Sequence, residues 1–194
     1  MEDALNRAIR TMQEEGAEFC DARYEDRWGL IISVSNRELR NLSTNRIAGV
    51  GLRARIGGSW GSSSGGRFDP ESLREMARRA VRAARAGDCP GAPIPEQTAY
   101  TGKFQMKVRI PPANVPVEEK LAMVKDLDEA QHISDRIVNT NAIYSEGRRT
   151  TVLVNSFGSR LRWEDGRLRL NAIAVARENG RMESYREGLA GSKG

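Results

Sequence analysis

An α+β fold built from two consecutive units is predicted by this sequence, and three observations carry the prediction. Helical periodicity followed by alternating β runs occurs at the start of the chain and again after residue 116. Turn chemistry separates the alternating runs, and six of the seven prolines lie between residues 87 and 116. Each unit is expected to be a helix plus an antiparallel meander, with boundaries at 1–86 and 117–194 and a Pro-rich linker or arm over 87–116. The repeat is one of element order and shows little residue identity.

In the first unit, Leu5, Ala8, Ile9 and Met12 recur at offsets 0, 3, 4 and 7, with Asp3 as the expected cap and Gly16 just beyond the helix end. Phe19–Glu25 alternates apolar and polar residues. Leu30, Ile31, Ile32 and Val34 form a second run, and Glu38–Ser43 suits a third strand. From Gly49, Val50, Leu52, Ala54 and Ile56 share one face, Gly51, Arg53 and Arg55 the other, before Gly57-Gly58 turns the chain into Trp60. Asp69-Pro70-Glu71 opens a second helix by an Asx cap, a proline at the first helical position and an acid at the positive dipole end.

Proline removes a ladder donor and restricts its predecessor, so Gly87–Glu96 is not a central strand, whereas Lys103–Ile110 suits an edge strand. In the second unit, Val117, Leu121, Val124 and Leu127 give a helical stripe ending near His132. Strands are expected at 133–144, 150–154, 160–164 and 168–177, with turns at Asn155–Gly158, Asp165-Gly166 and Asn179-Gly180.

Composition narrows function more than it defines it. The chain has 194 residues, 39% hydrophobic and 29% charged, the balance of a folding globular protein. No apolar run reaches the roughly 20 residues of a membrane span, and MEDALNRAIR is no signal peptide, which points to a cytoplasmic protein. The net charge of +5 arises from interspersed signs and is weak support for nucleic acid. A local argument for a polyanion is stronger, because Arg74, Arg78, Arg82 and Arg85 line one ridge of the second helix. Yet no aromatic residues interleave with them, and a solvated helix face is the simpler reading.

Catalytic constellations are incomplete. Gly61-Ser62-Ser63-Ser64-Gly65 satisfies G-x-S-x-G, but His132 is the only histidine available as a base and the glycine-rich setting is wrong for a nucleophile elbow. Cys20, Cys89 and His132 have none of the short spacings of zinc ligands, so no catalytic and no metal residue is assigned.

Gly49–Ser64, followed by the capped Ala/Arg helix from Pro70, resembles the N-terminal region of the TldD/PmbA family. Asn155–Ser159 and Ala172–Gly180, leading to Arg186, Gly188 and Gly191, resemble that family's second domain. The resemblance implies a cytoplasmic metalloprotease of peptides or unfolded polypeptides, once described as a modulator of DNA gyrase, working as a homodimer or a heterodimer of paralogues. Its TldD-like members hold zinc on a His-Glu-x-x-x-His motif in a third domain, and nothing in this sequence matches that motif. The chain is thus expected to be an N-terminal fragment without its own cofactor, inactive alone, providing scaffold, dimer contacts and cleft walls. A strand over Gly49–Ile56, at a sheet edge, would pair with an extended peptide, with Arg53, Arg55 and Trp60 as peptide or cleft contacts. The rival is a polyanion-binding or gyrase-modulating module using the arginine ridge.

Overall fold

A computed structural model describes residues 1–88, 91–95 and 97–192. Three helices, α1 (Glu2–Glu14), α2 (Pro70–Arg85) and α3 (Val117–Glu129), accompany seven strands. The strands are β1 (Phe19–Ser35), β2 (Glu38–Ile56), β3 (Ser59–Gly65), β4 (Thr101–Gln105), β5 (Ile137–Asn155), β6 (Arg160–Glu178) and β7 (Arg181–Gly191). They form one sheet in the order β3-β2-β1-β5-β6-β4, with β7 also pairing β6. The expected α+β class with an antiparallel meander is present; β4 departs from it by pairing β6 in parallel, Thr101 opposite Arg160 through Gln105 opposite Glu164.

The strands are fewer and longer than the sequence suggested. Runs 19–25 and 30–34 are one strand, β1, and 160–164 and 168–177 are one strand, β6. Asp165-Gly166 is therefore no hairpin but lies within β6. A Cβ on Gly166 would lie 3.1 Å from the Gly147 carbonyl oxygen, and one on Gly147 would lie 3.7 Å from that of Trp28. These glycines mark close backbone approach inside the sheet, the other meaning of an in-strand glycine. Asn179-Gly180 is a two-residue turn as expected, with φ of +48° and +76° and Glu178 opposite Arg181.

By compactness the chain divides into one unit of residues 1–27, 47–105 and 149–164, and a second of 28–46, 106–148 and 165–194. The units interleave in sequence, because β1, β2, β5 and β6 each give a segment to both.

In the first unit, α1 buries Leu5, Ala8, Ile9 and Met12, and α2 buries Leu73, Met76, Ala77, Ala80 and Val81, against Cys20, Ala22, Val50, Leu52, Ala54, Val152 and Val154. The α1 cap is Met1, without a side-chain bond, and Asp3 instead joins Glu2 in the first turn. Asp69 does cap α2, accepting from the Ser72 amide at 2.9 Å. A Cβ on Gly61 would lie 2.1 Å from the Ala80 carbonyl oxygen and 2.2 Å from the Ala84 amide nitrogen, so only glycine lets α2 lie this close to β3.

In the second unit, Leu30, Ile32, Val34, Ala142 and Tyr144 pack with Val124, flanked by Leu121 and Leu127 of α3. The α3 residues that become fully buried are Lys120, Val124 and Asp128, at offsets 0, 4 and 8, while Val117 stays exposed. Asn36 and Arg37 turn β1 into β2 with φ of +49° and +68°. Their partners hold this left-handed pair: the Thr140 amide donates to Asn36 Oδ1 at 2.9 Å, and the Arg37 amide donates to Asp128 Oδ2 at 2.7 Å.

Candidate functional site

The β2–β3 hairpin closes through Gly57 and Gly58, at φ +55° and +87°, and sets Arg55 opposite Trp60 and Arg53 opposite Ser62. Since Leu52 and Ala54 face the helices, alternation places Arg53, Arg55 and Trp60 on the face away from α1 and α2. Two of these three meet at an accessible surface. The Arg53 guanidinium lies 5.4 Å from the Trp60 ring centroid, and Trp60 is 47% exposed. Trp60 meets Phe19 edge-on at 5.7 Å, and Phe19 reaches Phe157 at 5.0 Å. Along β1, the Arg23 guanidinium stacks over Trp163 at 5.8 Å.

Arg53 is held by a fork on Asp21, with Nε 3.1 Å from both carboxylate oxygens and Nη2 2.5 Å from Oδ2. That hydrogen bonding raises the Arg53 pKa above its ordinary value, so the guanidinium is a permanent cation on this face. Asp21 is buried and Arg53 exposed, which leaves the arginine's outer edge and the indole available to a partner.

Arg55 has a different position. Its Nη2 donates to the carbonyls of Gly91 and Ala92 at 3.2 and 2.9 Å, and its Nη1 lies 3.4 Å from Glu18 Oε2. Glu18 Oε1 in turn accepts from the Gly57 amide at 2.8 Å. With 8% exposure, Arg55 ties the hairpin to the segment after α2. Nor is Gly49–Ile56 an edge, because β2 lies between β3 and β1; the edge strand is β3, to which the hairpin returns the chain.

The remaining candidates separate. Gly61–Gly65 runs along β3 and does not form a strand-to-helix elbow. The ridge arginines all have acidic neighbours: Arg74 pairs with Glu71 at 3.4 Å, Arg82 with Glu75 at 2.7 Å, and Arg78 and Arg85 with Glu15 at 3.5 and 3.8 Å. Cys20 is buried in the core, its thiol pushed up to about 11 mainly by burial. Cys89 lies outside the described residues. His132 falls beyond α3, with Nε2 3.2 Å from Thr140 Oγ1 and 3.8 Å from Asp128 Oδ2.

One polar group escaped the sequence reading. Lys120 Nζ donates to Glu146 Oε1 at 2.9 Å and to the Pro112 carbonyl at 2.8 Å, and Tyr144 donates to Glu146 Oε2. Lys120 precedes Val124 by one helical turn, and Glu146 follows Ala142 and Tyr144 on one strand face, so periodicity held the signal. Among the described residues no three histidine, cysteine, aspartate or glutamate side chains cluster as a metal would need. The donor set of these described residues does not fit a zinc centre. Among the same residues no helix is long and apolar enough to cross a membrane.

The fold and this site define a sheet-and-helix protein with an Arg–Trp face beside the β2–β3 hairpin, and comparison with known proteins gives its family. A Bacteroides thetaiotaomicron structure described as a modulator of DNA gyrase superposes with a TM-score of 0.78 at 16% identity, over 97% of this chain and 44% of its own. That likeness establishes the fold. The family description "PmbA/TldA metallopeptidase domain 1" matches residues 20–84, and "PmbA/TldA metallopeptidase central domain" matches residues 110–194. The chain belongs to the TldD/PmbA metallopeptidase family. Similar curated proteins include a metalloprotease of Archaeoglobus fulgidus, 29% identical over 82% of this chain and 35% of that protein. Another, from Methanothermobacter thermautotrophicus, is 26% identical over 93% of this chain and 39% of its own length. The chain thus spans less than two fifths of the length of these relatives.

Proposed function

We propose that this chain is the noncatalytic front portion of a TldD/PmbA-type zinc metalloprotease that acts on peptides or unfolded polypeptides in the cytoplasm. The observation that carries the reading is the pair of consecutive domain matches, 20–84 and 110–194, in a chain whose described residues offer no metal-ligand cluster. Its role is scaffold and cleft wall, with the proline-rich segment 87–116 joining the two family domains and zinc bound elsewhere in the parent protein. A homodimer or a heterodimer with a paralogous subunit completes the assembly. Arg53 and Trp60 supply the accessible contacts for an extended peptide, and β3 is the edge at which main-chain pairing adds a strand. Ion pairing of all four ridge arginines argues against the rival polyanion module.

The test is direct. Purified chain is expected to hold well under one equivalent of zinc by mass spectrometric metal analysis and to leave casein and unfolded peptides uncleaved. Stoichiometric zinc or hydrolysis abolished by a chelator would overturn the reading.

A further inference from the structure

The second unit carries a trough that the reading above leaves unused. On the sheet face away from α3, a cavity of about 590 Å³ is lined by residues of β1, β2, β5, β6 and β7 and by Ser192. This volume is in the range of roughly 300–1,000 Å³ typical of ligand clefts. Gly29, Ser145 and Gly147, small residues on the face opposite Leu30, Tyr144 and Glu146, line the trough together with Ile31. Asn45 reaches over Gly29, its Oδ1 2.8 Å from where a Cβ would stand.

Arg167 and Arg169 stand on the same face of β6, two residues apart, and both line the trough. Neither makes an ion pair with a described residue, in contrast to Arg74, Arg78, Arg82 and Arg85 of α2. The single acid in the lining, Glu146, directs its carboxylate to Lys120 and Tyr144 on the other face and presents its backbone carbonyl to the trough. The concavity therefore has two uncompensated guanidinium groups and neutral donors beside them.

The strands β2-β1-β5-β6-β7 follow one another in the sheet, so the lining extends over four interstrand spacings, about 19 Å. That length far exceeds a single phosphate and matches about six residues of extended chain. Guanidinium forks pair with carboxylates in bidentate geometry. We propose that this trough binds a short extended peptide through its acidic side chains, with Arg167 and Arg169 as the carboxylate contacts. The inference rests on the reading that the parent's substrates are peptides and adds that acidic segments are favoured.

Fluorescence anisotropy of a labelled hexapeptide alternating glutamate and glycine, against the intact chain at low salt, tests it without any hydrolysis. The expected result is binding roughly tenfold or more tighter than that of the matching glutamine peptide. Arg167→Gln and Arg169→Gln should each lose most of that preference, and the double variant all of it. Arg40→Gln, whose side chain pairs with Glu38 outside the trough, should leave it unchanged. Thermal melts establish that each variant is folded. Equal binding of the two peptides, retention of the preference by the double variant, or its loss in Arg40→Gln would overturn the proposal. Competition by inorganic phosphate as effective as by unlabelled peptide would identify a free-anion site and equally overturn it. A parent protein without peptidase activity would refute the functional reading while leaving the binding result standing, so the two failures are distinguishable.

Discussion

Cys20 illustrates how burial sets the chemistry of a single residue. Its side chain is inaccessible within the first core, and its thiol sits at about 11 instead of the ordinary 9.0, with burial outweighing the opposing hydrogen bond from Ser156. The folded state thus favours the neutral thiol, while the unfolded chain ionises from about pH 9 upward. In that window the native state binds more protons than the unfolded state, and stability falls as pH rises from about 9 to 11. The loss attributable to this group is on the order of 2–3 kcal/mol. Urea denaturation at pH 7 to 10.5 should show this decline, and Cys20→Ala, although less stable throughout, should show a shallower one. Parallel slopes for the two proteins would exclude the thiol as the cause. The same burial predicts that a thiol reagent modifies Cys20 only on unfolding.

At the scale of elements, the docking of α2 on β3 depends on Gly61. Its neighbours on the far side of the missing Cβ are helix backbone atoms, which cannot rotate aside as a flexible side-chain tip would. Gly61→Ala must displace the helix, at an expected cost of about 3 kcal/mol. A fall in melting temperature of about 6–12 °C should follow for a chain of this size. Gly51→Ala, on the same sheet but with no atom within 4 Å of its new Cβ, serves as the control and should melt near the parent. A Gly61→Ala protein as stable as the control would refute the account of close packing. This element also shows why a short pattern misleads: the glycine that completes G-x-S-x-G is there to admit a helix, and the serine follows the strand's pleat.

For the whole molecule, the interleaving of the units makes a prediction that consecutive domains would not. The first core takes Val152 and Val154 from β5, more than sixty residues beyond the end of α2. A fragment of residues 1–86 has both helices of that unit but lacks this part of its core, and it should show no cooperative thermal unfolding. A sharp two-state transition in the isolated fragment would demonstrate that residues 1–86 are self-sufficient. Loss of structure would also explain why a boundary visible in composition need not be a boundary of stability.

Much of the architecture was legible because it follows from local periodicity. The faces of α1 and α2, the Asp69 cap, the Asn179-Gly180 turn and the two faces of β2 depend on spacing within a single element, and the chain fixes them by side-chain direction and backbone preference. The Gly49–Ser64 stretch likewise pointed to the family. Arg53 and Trp60 were identifiable as neighbours across a tight hairpin, but their different fates from Arg55 were not, because the carbonyls of Gly91 and Ala92 that cover Arg55 come from a distant segment. For the same reason the pairing of Lys120 with Glu146 was not visible until α3 met β5, and Gly166 read as a turn until the Gly147 carbonyl of a neighbouring strand filled the space a side chain would need. Local spacing dictates the three helices, the cores of the β runs and which way their side chains point. Tertiary structure alone decided strand length, the edge of the sheet and which charges are paired, since each depends on atoms brought together from far along the chain.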